Sequence, residues 1–314
     1  MLADMKVQGS RGEMGEESRL AIGVLGTGDM GAAVGAALRR AGHRVLTALD
    51  GRSAYSCDLA LKAGLADAGN LQELVRQVDI MLSIVPPAAA DEFAAEVAGA
   101  MVATGARPVF VDCNAVSPAT MRQIASRFDA LGGAVVDVGI VGRAPPTDLP
   151  VRFFHSGLHS QLLAKLASGE IHCIDLGGEV GRASALKMTY AALNKGSDAL
   201  HATILLLAER LGVREPLMKE FALSQAPVLR RMQDRVPFLA ATAERYVGEM
   251  HQISDTCRSV GVTPDFHAGA AWLYATLAQT TLASETRATL DRNRTLDEAL
   301  ALYLQALPPV APAE

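Results

Sequence analysis

The chain has 314 residues, a formal net charge of −5, half of its residues apolar and a fifth charged. That length suits two domains with sizeable cores, and the acidic balance excludes the basic face a nucleic-acid binder needs. Cys57, Cys113, Cys173 and Cys257 stand far apart with no CxxC pair, which argues against a disulfide framework. No apolar run reaches the length of a membrane span.

Residues 1–18 carry charges of both signs and no apolar run. They are expected to be a disordered tail and not a signal peptide, which suggests a cytoplasmic protein. Leu20–Leu25 predicts a first strand, Asp29–Ala41 a helix ended by Gly42, and His43–Leu49 a second strand. "CDLALKAGL" and Leu71–Val78 read as helices. Asp79–Val85 reads as a buried strand stopped by Pro86 and Pro87. An Ala-rich helix follows over Ala88–Val102, then a strand over Arg107–Asn114 and a helix opened by Pro118. Ala134–Ile140, Val151–Ser156 and "EIHCIDLGG" complete the strands. From Arg182 to Leu307 only helical periodicity is found, broken at "GVREP", "RVP" and "GVTPD".

Strands alternating with helices predict a doubly wound, mostly parallel sheet, an α/β domain over residues 19–180. An all-α C-terminal domain follows over 181–307, and 308–314 form a tail.

"GVLGTGDMG" places Gly26, Gly28 and Gly31 between a strand and a helix. In G-x-G-x-x-G the first glycine permits a tight turn, the second lets backbone approach a pyrophosphate, and the third lets helix and strand pack. The helix N-terminus then offers free N–H groups and a positive dipole end to the phosphates. Gly26, Thr27, Gly28, Asp29, Met30 and Gly31 are therefore candidate cofactor-binding residues of a Rossmann-like domain. At the end of the second strand, Asp50 favours NAD through a ribose hydroxyl. Arg52 and Ser53 favour NADP through its 2′-phosphate. Gly51 allows the chain to turn Arg52 and Ser53 toward the ribose, so NADP is expected and NAD remains open.

Taken together these motifs resemble the beta-hydroxyacid dehydrogenase family, which includes 6-phosphogluconate and 3-hydroxyisobutyrate dehydrogenases. "GVLGTGDMGAAVGAALRRAGH" resembles its cofactor motif, and "DIMLSIVPPAA" its fourth strand, which implies that Val85 and Pro86 run beside the cofactor. "VFVDCNAVSPATMRQIA" resembles its Asp-Ser-Ser-Thr-x-x-Pro segment, with Asn114 and Ala115 where the family has Ser-Thr. "VVDVGIVGRAPP" lies where the family has Asp-Ala-Pro-Val-Ser-Gly-Gly, with Val141, Gly142 and Arg143 in place of the substrate loop. "GRASALKMTYAALNKG" lies where the family carries its catalytic lysine, which implies Lys187 as general acid/base. Ala191 replaces the family's Asn one turn later. The resemblance is to the subgroup with a poorly characterised helical C-terminal domain.

Helical spacing puts Lys187, Asn194, Asp198 and His201 on one stripe, flanked by Tyr190 and Lys195. The stripe lacks the Glu-rich character of a wet surface and follows the domain junction, where ligand pockets tend to form. It is expected to line a site, with Asp198 and His201 more often buried polar groups than catalysts. Hydride exchange at a carbon bearing oxygen requires one proton to move at that oxygen, and a partly dry lysine can carry it near neutral pH. Lys187 takes that role here and Asn194 can hydrogen-bond the same oxygen. Asn114 can hold the carboxamide or the substrate, and Arg143 a substrate carboxylate.

His155 and His159 lack a third ligand at fitting spacing, so no metal site is expected. No G-x-S-x-G elbow supports hydrolysis. Trp272 and Tyr274 are expected in the core or a subunit contact. The expected activity is NAD(P)-dependent oxidoreduction of a small carboxylate-bearing 3-hydroxy acid or its keto form. Imine reduction, which Tyr190 keeps open, and a non-catalytic NADP sensor are the alternatives. Homodimerisation through the helical domain is expected, with neither nucleic acid nor membrane as a partner.

Overall fold

The computed structural model describes residues 19–286 and 289–309; the tail expected over residues 1–18 and most of that over 308–314 lie outside them. The chain divides into two compact units, one up to Met188 and one from Thr189.

The first unit alternates strands and helices: β1 (Ala21–Leu25), α1 (Asp29–Arg40), β2 (Arg44–Thr47), α2 (Ala54–Ala63), β3 (Ala66–Asp67), α3 (Leu71–Gln77), β4 (Ile80–Ser83), α4 (Ala90–Thr104), β5 (Val109–Asp112), α5 (Pro118–Asp129), β6 (Val135–Val141), β7 (Val151–Ser156) and β8 (Ile171–Asp175). The strands form one sheet in the order β3-β2-β1-β4-β5-β6-β7-β8. Every pairing is parallel except β6 with β7, where Gly139 stands opposite Phe154. The carboxyl ends of β1, β4, β5 and β6 therefore share one edge.

Both faces of this sheet are buried, and the period-2 alternation sends neighbouring residues to opposite cores. Ile22, Val24, Ile80, Leu82 and Val111 pack with Val34 and Leu38 of α1. Leu25, Met81 and Phe110 pack with Leu74 of α3, Met101 of α4 and Phe128 of α5. Phe110 and Phe128 stack with centroids 4.4 Å apart. β3 has only two residues, too few for a sequence pattern, and was not expected. Pro87 opens a short 3-10 turn, which delays the Ala-rich helix to Ala90.

The second unit is helical: most of α6 (Arg182–Arg210), then α7 (Arg214–Ser224), α8 (Ala226–Arg235), α9 (Ala240–Ser259), α10 (Asp265–Leu277) and α11 (Leu296–Ala306). A break before Ala226, where Pro227 occupies the first turn of α8, was not expected. The unit boundary falls within α6, eight residues beyond the expected end at 180, because the first turns of that helix are anchored on the sheet. Trp272 is 54% exposed, so it is not core, whereas Tyr274 is fully buried. No helix among the described residues is long and apolar enough to cross a membrane.

Candidate functional site

The glycine turn has three distinct environments. Gly26 has φ +82°, and a Cβ there would lie 2.3 Å from the Ile84 carbonyl oxygen. A Cβ on Gly31 would lie 2.0 Å from the Gly26 carbonyl oxygen. Both positions are closed to any side chain by backbone. Gly28 is the reverse: a Cβ there would meet nothing within 4 Å. It caps α1 with extended backbone and no side-chain hydrogen bond, so the first N–H groups of α1 face an approach kept clear of side chains. A diphosphate fits this cradle.

The neighbouring residues tie the start of α1 to that of α2. Thr27 is buried and its hydroxyl donates to the Ser56 carbonyl at 3.0 Å. The Tyr55 hydroxyl donates to the Asp29 carboxylate at 2.8 Å. Met30 is half-buried against the core. After β2 the chain turns as expected: the Arg52 N–H donates to the Leu49 carbonyl at 3.0 Å and Gly51 has φ +69°. Asp50 is exposed. The Ser53 hydroxyl caps α2 by accepting the Ser56 N–H. Arg52 is half-buried, and its guanidinium lies 4.6 Å from the centroid of the Phe93 ring.

Asn114 is a strut between β4 and β5. Its amide oxygen accepts the Val85 N–H at 2.7 Å, and its amide nitrogen donates to the Ser83 hydroxyl at 3.0 Å and to the Asp112 carboxylate at 2.8 Å. With both amide protons placed in the core, Asn114 fixes where Val85 sits, beside the exposed Pro86. Burial pushes the pKa of Asp112 up from 3.8 to about 7; Asn114 lowers it and nearby Asp137 raises it further. Asp112 gave no signal in the sequence beyond its place in the Asp-x-Asn run.

Lys187 is held from the sheet. The Asp137 carboxylate accepts the Gly181 and Ser184 N–H groups at 2.8 and 3.0 Å and the Ser184 hydroxyl at 2.7 Å. The Ser156 hydroxyl accepts the Ala183 N–H at 3.0 Å. These bonds cap the start of α6 on β6 and β7. Gly139 allows the approach: a Cβ there would lie 2.8 Å from the Ala183 carbonyl oxygen and 3.0 Å from the Lys187 Cβ. The Lys187 ammonium donates to the Ile140 carbonyl at 2.6 Å, which places it at the carboxyl edge of the sheet. Gly142 (φ +132°) and Arg143 are exposed just beyond β6, and Arg143 makes no ion pair among the described residues.

In the second unit the polar stripe of α6 meets other helices. Asp198 is 1% exposed and accepts from Arg231 Nε at 3.0 Å and Arg235 Nε at 3.3 Å, both on α8. The Asn194 amide donates to the Tyr190 carbonyl at 3.0 Å, and Arg231 reaches the Asn194 carbonyl at 3.1 Å. Lys195 pairs with the buried Glu249 of α9 and lies over the Tyr246 ring. His201 is buried, and its pKa is lowered by burial, with Asp198 opposing and Arg231 adding to the shift. The expected ligand-facing stripe is thus, at Asp198, a helix-to-helix ion-pair seam. Tyr190 is 47% exposed.

Residues 21–148 match the family described as the NAD binding domain of 6-phosphogluconate dehydrogenase. Residues 208–277 match a domain of unknown function, DUF1932. An uncharacterized 28.5 kDa protein of Methanothermus fervidus is 29% identical over 175 residues, which span 56% of this chain and 66% of that relative's length. A solved conserved protein of unknown function, described as structurally similar to 3-hydroxyacid dehydrogenases, has a TM-score of 0.62 at 26% identity, with 82% of this chain and 96% of that one covered. Mycobacterium tuberculosis 3-hydroxyisobutyrate dehydrogenase shares the fold, with a TM-score of 0.61 at 20% identity over 90% of this chain and 98% of that one.

Fold and glycine turn define the class: a dinucleotide-binding α/β domain of the 6-phosphogluconate dehydrogenase type followed by a helical domain. The chain thus joins an NAD-binding domain to a helical part that matches DUF1932, and its structural neighbours are 3-hydroxyacid dehydrogenase-like proteins.

Proposed function

We propose that the protein is an NAD(P)-dependent oxidoreductase, NADP-preferring, that interconverts a small carboxylate-bearing 3-hydroxy acid and its keto form. One observation carries the proposal: within the first unit, the Lys187 ammonium and the glycine turn lie on the same carboxyl edge of the sheet. β1 and β6 are three strand spacings apart, about 14 Å, a span that half a dinucleotide and a small substrate fill.

The residues fit the cofactor. Gly28 and the first turn of α1 receive the diphosphate, Thr27 and Asp29 fix the turn around it, and Met30 backs it. Arg52 and Ser53 take the 2′-phosphate. Val85 and Pro86, set by Asn114, form the wall beside the ring. A bound nicotinamide supplies the hydride acceptor or donor. Lys187 gives its proton to the substrate oxygen in reduction and takes it back in oxidation, with the Ile140 carbonyl steering the ammonium. Gly142 and Arg143 beyond β6 receive the substrate carboxylate.

The protein acts as a homodimer through the helical domain. Tyr190, Leu193, Leu200 and Leu207 are 47%, 71%, 43% and 52% exposed and recur at heptad spacing along α6, an apolar seam of the kind that pairs with a second helix. Light scattering is expected to show a dimer, and Leu200→Asp with Leu207→Asp a monomer.

The activity test is a substrate panel with NADPH and NADH on wild type and Lys187→Ala. Turnover of a hydroxy acid or keto acid that falls about 100-fold or more in the variant supports the proposal. Turnover of imines alone would favour imine reduction, and NADPH binding without any turnover a sensor.

A further inference from the structure

Arg52 is held in an unusual way for this unit. Arg40 is forked onto the Glu170 carboxylate by two bonds of 2.7 Å, and Arg127 is forked onto Asp91. Those guanidiniums have their N–H edges occupied. Arg52 makes no ion pair and no side-chain hydrogen bond among the described residues; its guanidinium rests over Phe93 at 4.6 Å. The five guanidinium N–H groups need oxygen acceptors to fill the fork, and a phenyl ring offers none. Phe93 therefore restrains Arg52 without placing a carboxylate or carbonyl oxygen in its fork. A carboxylate in that place would fill the fork and repel an incoming anion.

The shelf is firm on both sides. Phe93 is half-buried on α4 and packs against the core that includes Leu74 and Met101. The Arg52 backbone is set by the turn through Gly51. Next to it, Ser53 and the start of α2 add a hydroxyl and N–H groups.

We propose that Phe93 is a positioning residue for recognition of the cofactor's 2′-phosphate, acting through Arg52. Phe93 orients a donor fork that stays empty until the phosphate arrives, and so sets the preference for NADP over NAD. The proposal rests on the NADP assignment above.

The test is calorimetric titration of the full-length protein with adenosine 2′,5′-bisphosphate and with adenosine 5′-monophosphate, read as the ratio of their affinities. Wild type is expected to prefer the bisphosphate, and Arg52→Ala to bring the ratio close to one. Phe93→Leu, which keeps apolar bulk under α4, is expected to lower the ratio roughly threefold, the size of an exposed cation–π contact. Phe93→Trp is expected to restore it, and Phe93→Leu to change nothing further in the Arg52→Ala background. The proposal is overturned if Arg52→Ala collapses the ratio while Phe93→Leu leaves it intact, or if Phe93→Leu weakens both ligands alike. A wild type that binds the two nucleotides equally overturns the NADP assignment itself, and the proposal with it.

Discussion

The two units treat buried polar groups differently. In the first, Asp112, Asp137 and Asn114 are bonded mainly to backbone N–H groups and near neighbours, and they fix strand ends and the start of a helix. In the second, Asp198 and Glu249 are matched by Arg231, Arg235 and Lys195 from other helices or distant turns. One arrangement shapes an open edge of a sheet; the other fastens helices together. A polar side chain on a helix face therefore says little about a ligand until its neighbours are known.

The sharpest way to break this contrast is at the glycines. Gly31→Ala forces a Cβ against the Gly26 carbonyl and is expected to destabilise the first unit by about 3 kcal/mol or more, read by chemical denaturation. Next in size is Asp198→Ala in the second unit. It removes a buried carboxylate from two arginines whose side chains are 39% and 51% exposed. Because both guanidiniums reach water, the expected loss is about 2 kcal/mol, below that of a fully buried pair. Hydrogen exchange should show the loss in α6 and α8.

A smaller effect comes with pH. Burial lowers the pKa of His201 and His267 in the second unit and of His43 and His155 in the first. Neutral when folded, these groups contribute stability above the unfolded value of about 6.5, and that contribution is lost as pH falls below it. Asp112 acts oppositely: with a folded pKa of about 7, it keeps a proton the unfolded chain has released, so its contribution shrinks as pH rises from about 4 to 7. Acidification from pH 7.5 to 5.5 is thus expected to reduce exchange protection more in the second unit than in the first. Equal loss would remove the distinction. The smallest effect is a gain: Gly269→Ala, in α10 with open space around it, should stabilise the second unit by up to about 1 kcal/mol.

How much of this was legible beforehand follows the range of each interaction. Gly26, Gly28 and Gly31 signal locally, because their spacing, the strand before and the helix after lie within a few residues. Lys187 was reachable through its place on a long helix, although its hold on the Ile140 carbonyl depends on Gly139, 48 residues earlier. Arg231, Arg235 and Glu249 could not be found, since nothing local ties them to Asp198 or Lys195. Phe93 sits in an Ala-rich helix that gives no reason to single it out, and β3 is stabilised by its sheet neighbour and not by its own two residues.

The central claim is that the open side of Gly28 receives the cofactor's diphosphate. The direct measurement is NADPH titration of wild type and Gly28→Ala, followed by NADPH fluorescence alongside thermal melting. Gly28 has an ordinary φ of −73° and empty space at its Cβ, so the variant should melt with the wild type yet bind NADPH about tenfold or more weakly, a difference of roughly 1.4 kcal/mol. Equal affinity in the two proteins, with equal melting, would contradict the claim.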